Sequence, residues 1–247
     1  MELKEFFTKY PKVALGFSGG VDSAFLLYAA KKYGADICPY YVKTVFQPRF
    51  EYEDALKFCN MLGIEMKLIE YDILSDHIIT KNVENRCYYC KKALFSVLRR
   101  HALRDGYDIL IDGTNASDDI SDRPGIKALT ELSVLSPLRI CGLTKDKIRA
   151  YLKEEGFCIW SKPAYACLAT RIPHETAITE TLLRRVEYAE DILKDMGFLD
   201  FRIRVYEGCA RIQVRKEQFL TAAEKRGEIV KRLKPYFETI FLDMNTR

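Results

Sequence analysis

Residues 12–30 read KVALGFSGGVDSAFLLYAA, and this stretch decides the fold. The unbroken apolar run at 13–17 is typical of a strand that is buried on both faces of a parallel sheet. Two glycines interrupt the pattern, and apolar residues at helical spacing follow over about 23–33. The stretch therefore predicts a buried strand, a tight glycine turn and a helix, in that order.

The following hundred or so residues continue the alternation of strand and helix patterns. We expect strands at 37–42, 66–71, 109–111 and 134–138, and helices at 51–62, 89–104 and 144–155. Alternation of this kind indicates an α/β fold, with a doubly wound parallel sheet covered by helices on both faces.

The last third of the chain has a different pattern. The segment FRIRVYEGCARIQV at 201–214 alternates with period two around Glu207-Gly208, which predicts an antiparallel hairpin. A helix at 179–196 precedes it, and a helix at 217–234 and a strand at 239–242 follow. We expect a small C-terminal α+β unit, with domains at 1–172 and 173–247 and with substrate binding and oligomerisation in the second domain.

The chain has 247 residues, and its net charge of +4 is unevenly distributed. From Phe201 onward there are eleven Lys and Arg residues against six Asp and Glu residues. A basic tail on a near-neutral body indicates an anionic partner, either a phosphorylated small molecule or nucleic acid. The N-terminus lacks a signal-peptide pattern and no apolar stretch has the length of a membrane span, so we expect a cytoplasmic protein.

The turn at Ser18–Ser23 is compatible with more than one chemistry. Its GFSGG letters match a serine nucleophile elbow, but that motif requires an acid and a histidine later in the chain, and the sequence has only three histidines. A phosphate loop of the G-x-x-x-x-G-K type has a lysine after its last glycine, whereas Val21-Asp22 stands there.

A phosphate cradle without a lysine fits better. Gly19 and Gly20 let the backbone approach an anion, the amides at the start of the helix point towards it, and the hydroxyls of Ser18 and Ser23 add donors. Asp22 would then bind Mg²⁺. The alternative is a tight turn that only caps the helix.

The cysteines provide the second signal, since a chain without a secretory signal seldom uses eight of them for disulfides. Cys87 and Cys90 form a C-x-x-C pair at a helix start beside Lys91, where helix amides and a cation favour thiolate. Cys167 lies in WSKPAYACLATRIP, a segment rich in helix breakers. A redox pair, a zinc site with a fourth ligand and two core cysteines remain alternatives, whereas three thiolates would hold a four-iron cluster with one iron open. We expect the other cysteines to be buried as small hydrophobic residues: Cys38, Cys59, Cys141, Cys158 and Cys209.

The hairpin supplies a third signal. If Glu207-Gly208 is its turn, Arg204 faces Arg211 and Arg202 lies on the same face of the sheet. Like charges in facing positions are destabilising unless an anion lies between them, and arginine binds phosphate in a forked geometry. We therefore expect these arginines to bind a phosphorylated substrate.

SGGVDS after a first strand resembles the PP-loop of the ATP pyrophosphatases, which adenylate a substrate and release pyrophosphate. The resemblance implies that ATP binds along the whole loop, Val21 included. The segment DGTNASDD, at Asp112–Asp119, is similar to the second nucleotide-side loop of these enzymes and places Asn115 beside ATP. An ordinary Asn/Asp turn is the alternative for that segment.

The motifs together resemble the LarE-type ATP-dependent sulfur transferases over almost the whole chain. The shared motifs are SGGVDS, the C-x-x-C-K helix start, DRPGIKAL at Asp122–Leu129, SPL at Ser136, KPA before Cys167, and the tail FRIRVYEGCARIQV. The resemblance implies that the enzyme adenylates a carboxylate of pyridinium-3,5-biscarboxylate mononucleotide and converts it to a thiocarboxylate. The product leads to the nickel-pincer nucleotide cofactor of lactate racemase.

The family has two kinds of sulfur donor. In one branch a single cysteine, matching Cys167, gives up its own sulfur and becomes dehydroalanine, and that branch lacks the C-x-x-C. This chain carries Cys87 and Cys90 and resembles the branch in which three cysteines hold a [4Fe-4S] cluster. The cofactors implied are therefore ATP, Mg²⁺ and the [4Fe-4S] cluster, and Lys91 either stabilises charge during the reaction or is an ordinary solvated lysine.

The resemblance also implies a hexamer of paired trimers and a set of substrate-binding residues: Thr170, Arg171, Glu190, Arg202 and Arg204. Two other functions remain open. A tRNA-thiolating enzyme would use the same loop and cysteines, although it usually carries a larger basic and aromatic surface. A nucleotide-sensing protein would bind ATP without turnover.

Overall fold

The computed structural model describes residues 1–119 and 124–247, so Asp122 and Arg123 of the DRPGIKAL motif lie outside the described residues. The helices are α1 (Leu3–Lys9), α2 (Val21–Lys32), α3 (Arg49–Leu62), α4 (His77–Thr80), α5 (Arg86–Arg104), α6 (Pro124–Glu131), α7 (Pro137–Ile140), α8 (Lys145–Glu154), α9 (Glu180–Asp195), α10 (Phe219–Glu224) and α11 (Arg226–Leu233). The strands are β1 (Lys12–Gly16), β2 (Asp36–Lys43), β3 (Lys67–Glu70), β4 (Leu110–Ile111), β5 (Arg202–Tyr206), β6 (Cys209–Gln213) and β7 (Ile240–Leu242).

The chain divides into two compact units. The first contains residues 1–72 and 85–165, and the second contains residues 73–84 and 166–247. Asn82 fixes the inserted segment within the second unit: it is fully buried, and its side-chain amide donates to the carbonyl oxygens of Ile172 and Pro173 at 3.3 and 2.6 Å. The boundary after residue 172 and the roles assigned to the two domains stay predictions.

The first unit is built on a parallel sheet of order β3-β2-β1-β4. Neighbouring residues of β1 face opposite sides, as the pleat requires. Val13 and Leu15 join a core with residues of α2, α3 and α8, whereas Ala14 joins a second core with residues of α5 and α6. Helices therefore cover both faces of the sheet, and the predicted doubly wound α/β fold is confirmed.

The strand predicted at 134–138 is wrong in its extent. Leu135 forms a single parallel bridge with Ile111, and α7 then begins at Pro137. Proline has no N–H for a strand ladder, and its fixed φ suits the first position of a helix. The chain therefore leaves the sheet after one bridge and carries Ser136 to the end of β4.

The second unit contains the predicted helix α9 and a sheet of order β5-β6-β7, in which β6 and β7 are parallel. The hairpin register is confirmed, with Arg204 directly opposite Arg211. Glu207 and Gly208 form the two-residue turn with φ values of 48° and 77°, the positive pair that a type I′ turn requires.

The helix predicted at 217–234 is wrong as a continuous element. A 3₁₀ turn at Lys216–Gln218 and α10 precede a break at Lys225, after which α11 begins. Gly227, two residues after the break, lowers the helix propensity there, and hydrophobic periodicity does not detect a one-residue break.

None of the described helices combines the length and apolar character that crossing a membrane requires.

Gly208→Ala tests the hairpin turn. An added Cβ would meet no atom within 4 Å, so the variant isolates the cost of a positive φ in an L-residue, and we expect a loss of about 1 kcal/mol in the free energy of unfolding. The matched control is Gly227→Ala in α11, where the Cβ also has open space but φ is not positive, and which we expect to stabilise by up to about 1 kcal/mol. Urea unfolding measures both, and equal effects at the two positions would contradict the turn assignment.

Candidate active site

The predicted nucleotide loop, Ser18–Ser23, joins the end of β1 to the first turn of α2, with Gly20 as the helix N-cap. The hydroxyl oxygens of Ser18 and Ser23 are 3.2 Å apart. The Gly20 amide donates to the Ser18 hydroxyl at 3.3 Å, and the Ser23 hydroxyl donates to the Gly20 carbonyl at 3.1 Å. The loop is thus closed by its own serines at the positive end of a twelve-residue helix, an arrangement suited to an anion.

Gly19 is required by packing as well as by its backbone. Its φ is +70°, and an added Cβ would lie 2.8 Å from Ala55 Cβ and 3.2 Å from the Glu51 carbonyl oxygen of α3. Val21 behaves differently, because its side chain is buried in the core and leaves only main-chain atoms for a ligand.

Asp22 pairs with a lysine from a distant helix. Its Oδ2 accepts a hydrogen bond from Lys145 Nζ at 2.6 Å, whereas its Oδ1 is buried and has no hydrogen-bond partner among the described residues. A buried carboxylate oxygen without a partner is costly, and a hard cation such as Mg²⁺ would satisfy it. The site residues therefore fit the predicted magnesium ion.

The second predicted loop leaves the end of β4 and packs against the first. A Cβ on Gly113 would lie 3.0 Å from the Ser23 nitrogen. The buried carboxylate of Asp112 accepts hydrogen bonds from the hydroxyls of Thr114 and Ser136, and Lys91 Nζ lies 4.0 Å from its Oδ2. The structure therefore brings Lys91 to this loop.

Asn115 shapes the same loop. Its side-chain oxygen accepts from the Ser117 amide at 2.8 Å, and its own amide donates to Asp118 at 3.0 Å. The side chain therefore holds an Asn/Asp turn, and its predicted contact with ATP stays a prediction.

In the second unit, Cys167 precedes the 3₁₀ turn Leu168–Arg171 and is half-buried. The Thr170 hydroxyl donates to the Cys167 carbonyl at 2.8 Å. Arg171, only 2% exposed, donates from Nη1 to the Thr170 hydroxyl at 2.8 Å and to the Ala166 carbonyl at 3.1 Å. The main chain on both sides of Cys167 is therefore anchored by one buried guanidinium.

Glu190 of α9 balances that guanidinium. Its Oε1 accepts from Arg171 Nε at 2.8 Å and from the Ile203 amide at 2.9 Å, and its Oε2 accepts from Arg171 Nη2 at 3.3 Å. The pair links the cysteine turn to α9 and β5. Direct contacts of Arg171 and Glu190 with a substrate stay predictions.

The arginines of the hairpin are close together and only partly neutralised. Arg204 donates to the Thr170 carbonyl at 3.0 Å and to Gln213 at 2.7 Å. Arg211 Nε lies 3.3 Å from an Asp243 carboxylate oxygen, which is within ion-pair range, but it makes no hydrogen bond because the geometry is unfavourable.

The pKa values of two of these arginines are lowered by their surroundings. Burial, followed by repulsion from Arg171 and Arg247, lowers the pKa of Arg202 to about 10. Burial and repulsion from Arg171, Arg211 and Arg247 also lower the pKa of Arg204. Each of these positive charges is held at a cost that a bound anion would offset, since an opposite charge favours the ionised form.

No protein-family model matches the chain. An uncharacterized protein of Synechocystis sp. is 34% identical over 248 residues, which cover 98% of this chain and 92% of that protein. The pyridinium-3,5-bisthiocarboxylic acid mononucleotide synthase of Lactiplantibacillus plantarum is 31% identical over 205 residues, which cover 82% of this chain and 74% of the synthase. The chain belongs to the LarE-type sulfur transferase family.

A more distant relative has the same class of chemistry. The tRNA-specific 2-thiouridylase MnmA of Pseudothermotoga lettingae is 27% identical over 189 residues, which cover 61% of this chain and 54% of MnmA. Both relatives are PP-loop sulfurtransferases. The LarE-type chain is accordingly an enzyme of that class.

The paired cysteines of this LarE-type enzyme lie among the first five residues of α5. Positions 87 and 90 are three apart, so Cys87 and Cys90 share one face of the helix, and both are at least partly accessible. A Cβ on Gly125 of α6 would lie 3.7 Å from the Cys87 carbonyl, so the described part of the DRPGIKAL motif packs beside the pair. Cys167 belongs to the second unit. Within residues 1–119 and 124–247, no group of three or more His, Cys, Asp or Glu side chains is arranged to hold a metal ion.

The expected burial is confirmed for two of the five remaining cysteines. Cys38 and Cys59 are buried, and burial raises the pKa of both thiols, to about 12 for Cys59. Cys141 and Cys209 are half-buried. The expectation is wrong for Cys158, which is exposed because its 3₁₀ turn, Cys158–Ser161, buries no residue.

Sequence reasoning missed two lysines that the fold brings to the nucleotide loop. Lys145 contacts Asp22 from 123 positions away, and Lys162 donates to the Gly19 carbonyl at 3.2 Å. Each lysine is marked by a local pattern: Lys145 follows an N-cap threonine, and Lys162 is the first residue of the KPA motif. Neither signal indicates which distant loop the lysine reaches.

Gly19→Ala tests the loop in the LarE-type enzyme. The methyl group would push the loop away from α3, and we expect Mg·ATP binding to weaken about tenfold or more, because hydrogen bonds of about 1.5 kcal/mol each are disturbed. Gly34→Ala is the matched control, since its φ of +76° imposes the same backbone strain with no atom within 4 Å of the added Cβ. Calorimetric titration with Mg·ATP measures both, and equal affinities for the two variants would refute the role of the contact.

Glu190→Gln tests the buried pair. The Arg171 charge would stay buried without its counter-ion, and we expect a loss of about 3–5 kcal/mol in the free energy of unfolding. Glu180→Gln in the same helix removes an exposed pair with Arg184 and should cost about 0.3–0.5 kcal/mol. Denaturant unfolding compares them, and a loss at Glu190 as small as that at Glu180 would contradict the anchoring role.

Proposed function

We propose that the enzyme adenylates a carboxylate of pyridinium-3,5-biscarboxylate mononucleotide and converts it to a thiocarboxylate, on the route to the nickel-pincer nucleotide cofactor. The observation that carries the ATP-dependent step is the buried Asp22 Oδ1, which has no partner among the described residues, at the start of a helix that follows two glycines. The Lactiplantibacillus plantarum relative is named a pyridinium-3,5-bisthiocarboxylic acid mononucleotide synthase, and we infer the biscarboxylate substrate from that product.

ATP would bind with its β- and γ-phosphates against the main chain at Gly19 and Gly20. The Asp22 carboxylate would hold Mg²⁺ through the oxygen that lacks a partner, and Lys145, now paired with Asp22, supplies a positive charge beside the phosphates. Val21 would contribute its amide, because the N–H groups of the first helical turn have no partners within the helix.

Activation makes the carboxylate replaceable. A carboxylate oxygen of the substrate attacks the α-phosphorus, the bond from that phosphorus to the bridging oxygen breaks, and pyrophosphate leaves. The resulting acyl-adenylate has AMP as its leaving group, whereas oxide cannot leave from a carboxylate. Lys91, 4.0 Å from Asp112, would stabilise negative charge as it develops.

Sulfur transfer completes the reaction. A sulfur nucleophile would form a bond to the acyl carbon while the bond from that carbon to the AMP oxygen breaks and AMP leaves. The bond from the sulfur to its carrier would then break, which leaves the thiocarboxylate. The mononucleotide phosphate would bind at Arg202, Arg204 and Arg211. Burial and repulsion from neighbouring arginines lower the pKa of Arg202 and of Arg204, and a bound anion would offset that repulsion. Thr170, Arg171 and Glu190 would order the turn that carries Cys167.

We propose Cys87, Cys90 and Cys167 as the ligands of a [4Fe-4S] cluster. Such a cluster, if held by these three thiolates, would supply one iron without a protein ligand, at which a sulfur donor could bind. The accessible pair on one helical face fits two of these ligands, and the third lies in the other unit. Sacrifice of the Cys167 sulfur itself is the alternative donor.

Further properties follow from the family resemblance. We propose a homo-oligomer, a hexamer of paired trimers, in the cytoplasm, and a second domain that binds the mononucleotide and mediates assembly. Thiolation of tRNA is the second candidate function, favoured by the MnmA match over 61% of this chain. The acceptor that elicits pyrophosphate release, mononucleotide or tRNA, separates the two.

Anaerobic purification followed by turnover tests the donor. We expect about four irons per chain, several thiocarboxylates formed per chain when sulfide is supplied, and an unchanged mass for the Cys167 peptide. Cys87→Ser, Cys90→Ser and Cys167→Ser should each lose iron and multiple turnover. Cys158→Ser, which removes an exposed cysteine outside the set, is the control and should retain both.

Other outcomes discriminate among the alternatives. Loss of one sulfur from Cys167, with no more than a single product per chain, would replace the cluster by the sacrificial route. Zinc in place of iron, with an intact Cys167 and no thiocarboxylate, would reject both donors. ATP binding without pyrophosphate release on any acceptor would leave only a nucleotide-sensing protein.

A further inference from the structure

Lys162 has no role in the reaction described above, yet its side chain ends at the nucleotide loop. The residue follows the 3₁₀ turn Cys158–Ser161, and its side chain is 15% exposed. Long charged side chains are rarely so covered unless they are paired. The partners of Lys162 therefore show how its side chain is held beside the loop.

The ammonium group of Lys162 contacts three acceptors. It donates to the Gly19 carbonyl at 3.2 Å and to Glu51 Oε2 at 3.1 Å, and it lies 3.0 Å from Asp54 Oδ2. Two of the three N–H donors of the ammonium are used in these hydrogen bonds, and Asp54 balances the charge from ion-pair distance. Lys162 is therefore held by acceptors within the protein, unlike a lysine that binds phosphate directly.

The acceptors join two separate parts of the site. Glu51 and Asp54 belong to α3, the helix whose Ala55 packs against Gly19. The ammonium thus ties the loop main chain to the helix that shapes it, in addition to the steric contact at Gly19.

The direction of one peptide follows from this tie. In a trans peptide the carbonyl and the next N–H point in opposite directions, and the described chain contains no cis bond. With the Gly19 carbonyl held by Lys162, the Gly20 N–H points into the loop, where it donates to the Ser18 hydroxyl. A reversed peptide would present an oxygen to the phosphates, and two adjacent glycines offer little resistance to such a reversal.

Lys162 is itself held from a third element. Arg149 of α8 donates to the Lys162 carbonyl at 2.7 Å and to the Trp160 carbonyl. The main chain at Lys162 is therefore anchored by Arg149, and the ammonium group is held by the acceptors described above.

We propose that Lys162 is a positioning residue for ATP, which keeps the Gly19–Gly20 peptide turned so that its N–H faces the phosphates. The inference rests on the proposed use of ATP at this loop. Lys162 acts on the β- and γ-phosphates through the main chain and does not touch them.

The test is Lys162→Met in the full chain, with affinities measured for Mg·ATP, Mg·pyrophosphate and AMP. We expect ATP and pyrophosphate to bind about tenfold to a hundredfold more weakly, the equivalent of one lost charge-assisted hydrogen bond, and AMP to bind within about threefold of wild type. Lys32→Met is the matched control. It removes an ion pair with Glu155 at the far end of α2 and should leave all three affinities unchanged.

The pattern across ligands decides the outcome. Unchanged ATP binding, or equal losses for ATP and AMP, would overturn the positioning role, because a general loss of structure does not select for the pyrophosphate part. If Lys162→Met does not fold, Lys162→Gln, which keeps one donor but loses the charge, is judged by the same comparison. A wild-type protein that binds neither ATP nor pyrophosphate overturns the proposed function together with this inference.

Discussion

The contact between Gly19 and α3 is the constraint on which the nucleotide site depends. The loop can pass close to the helix only because residue 19 has no side chain, and the available space is already filled by Ala55. This close approach fixes the position of the turn between β1 and α2, and hence the direction of the N–H groups at the start of α2. Asp22 and Ser23, the second and third residues of the helix, take their positions from the same corner.

In the second unit the main constraint is electrostatic, because several arginine side chains lie close enough to repel one another. A buried ion pair between Arg171 and Glu190 anchors the cluster, and the carboxylate also accepts a main-chain amide. Such a pair contributes little net stability compared with apolar packing, but it imposes one arrangement. Burial, followed by repulsion from neighbouring arginines, lowers the pKa of Arg202 and of Arg204, and a bound anion would offset that repulsion.

Much of this arrangement was predictable because it depends on local pattern. The apolar run at β1 and its glycines predicted the corner, and period-two alternation predicted the facing Arg204 and Arg211. Contacts across long sequence separations were not predictable, because a lysine such as Lys145 has the same local signature whether it is solvated or paired. Short interruptions were not predicted either: the strand stops after one bridge, before Pro137, and a break at Lys225 divides the predicted helix.

The short segment at 73–84 makes the second unit discontinuous in sequence, which limits how the gene can exchange it. Asn82 joins the second unit through hydrogen bonds to Ile172 and Pro173, so that unit is encoded by two stretches of gene, which are separated by all of residues 85–165 of the first unit. Recombination at a single point cannot exchange either unit as a cassette. An intact copy of either unit can therefore be acquired from another chain only together with residues of the other unit, or by separate exchanges of its two stretches.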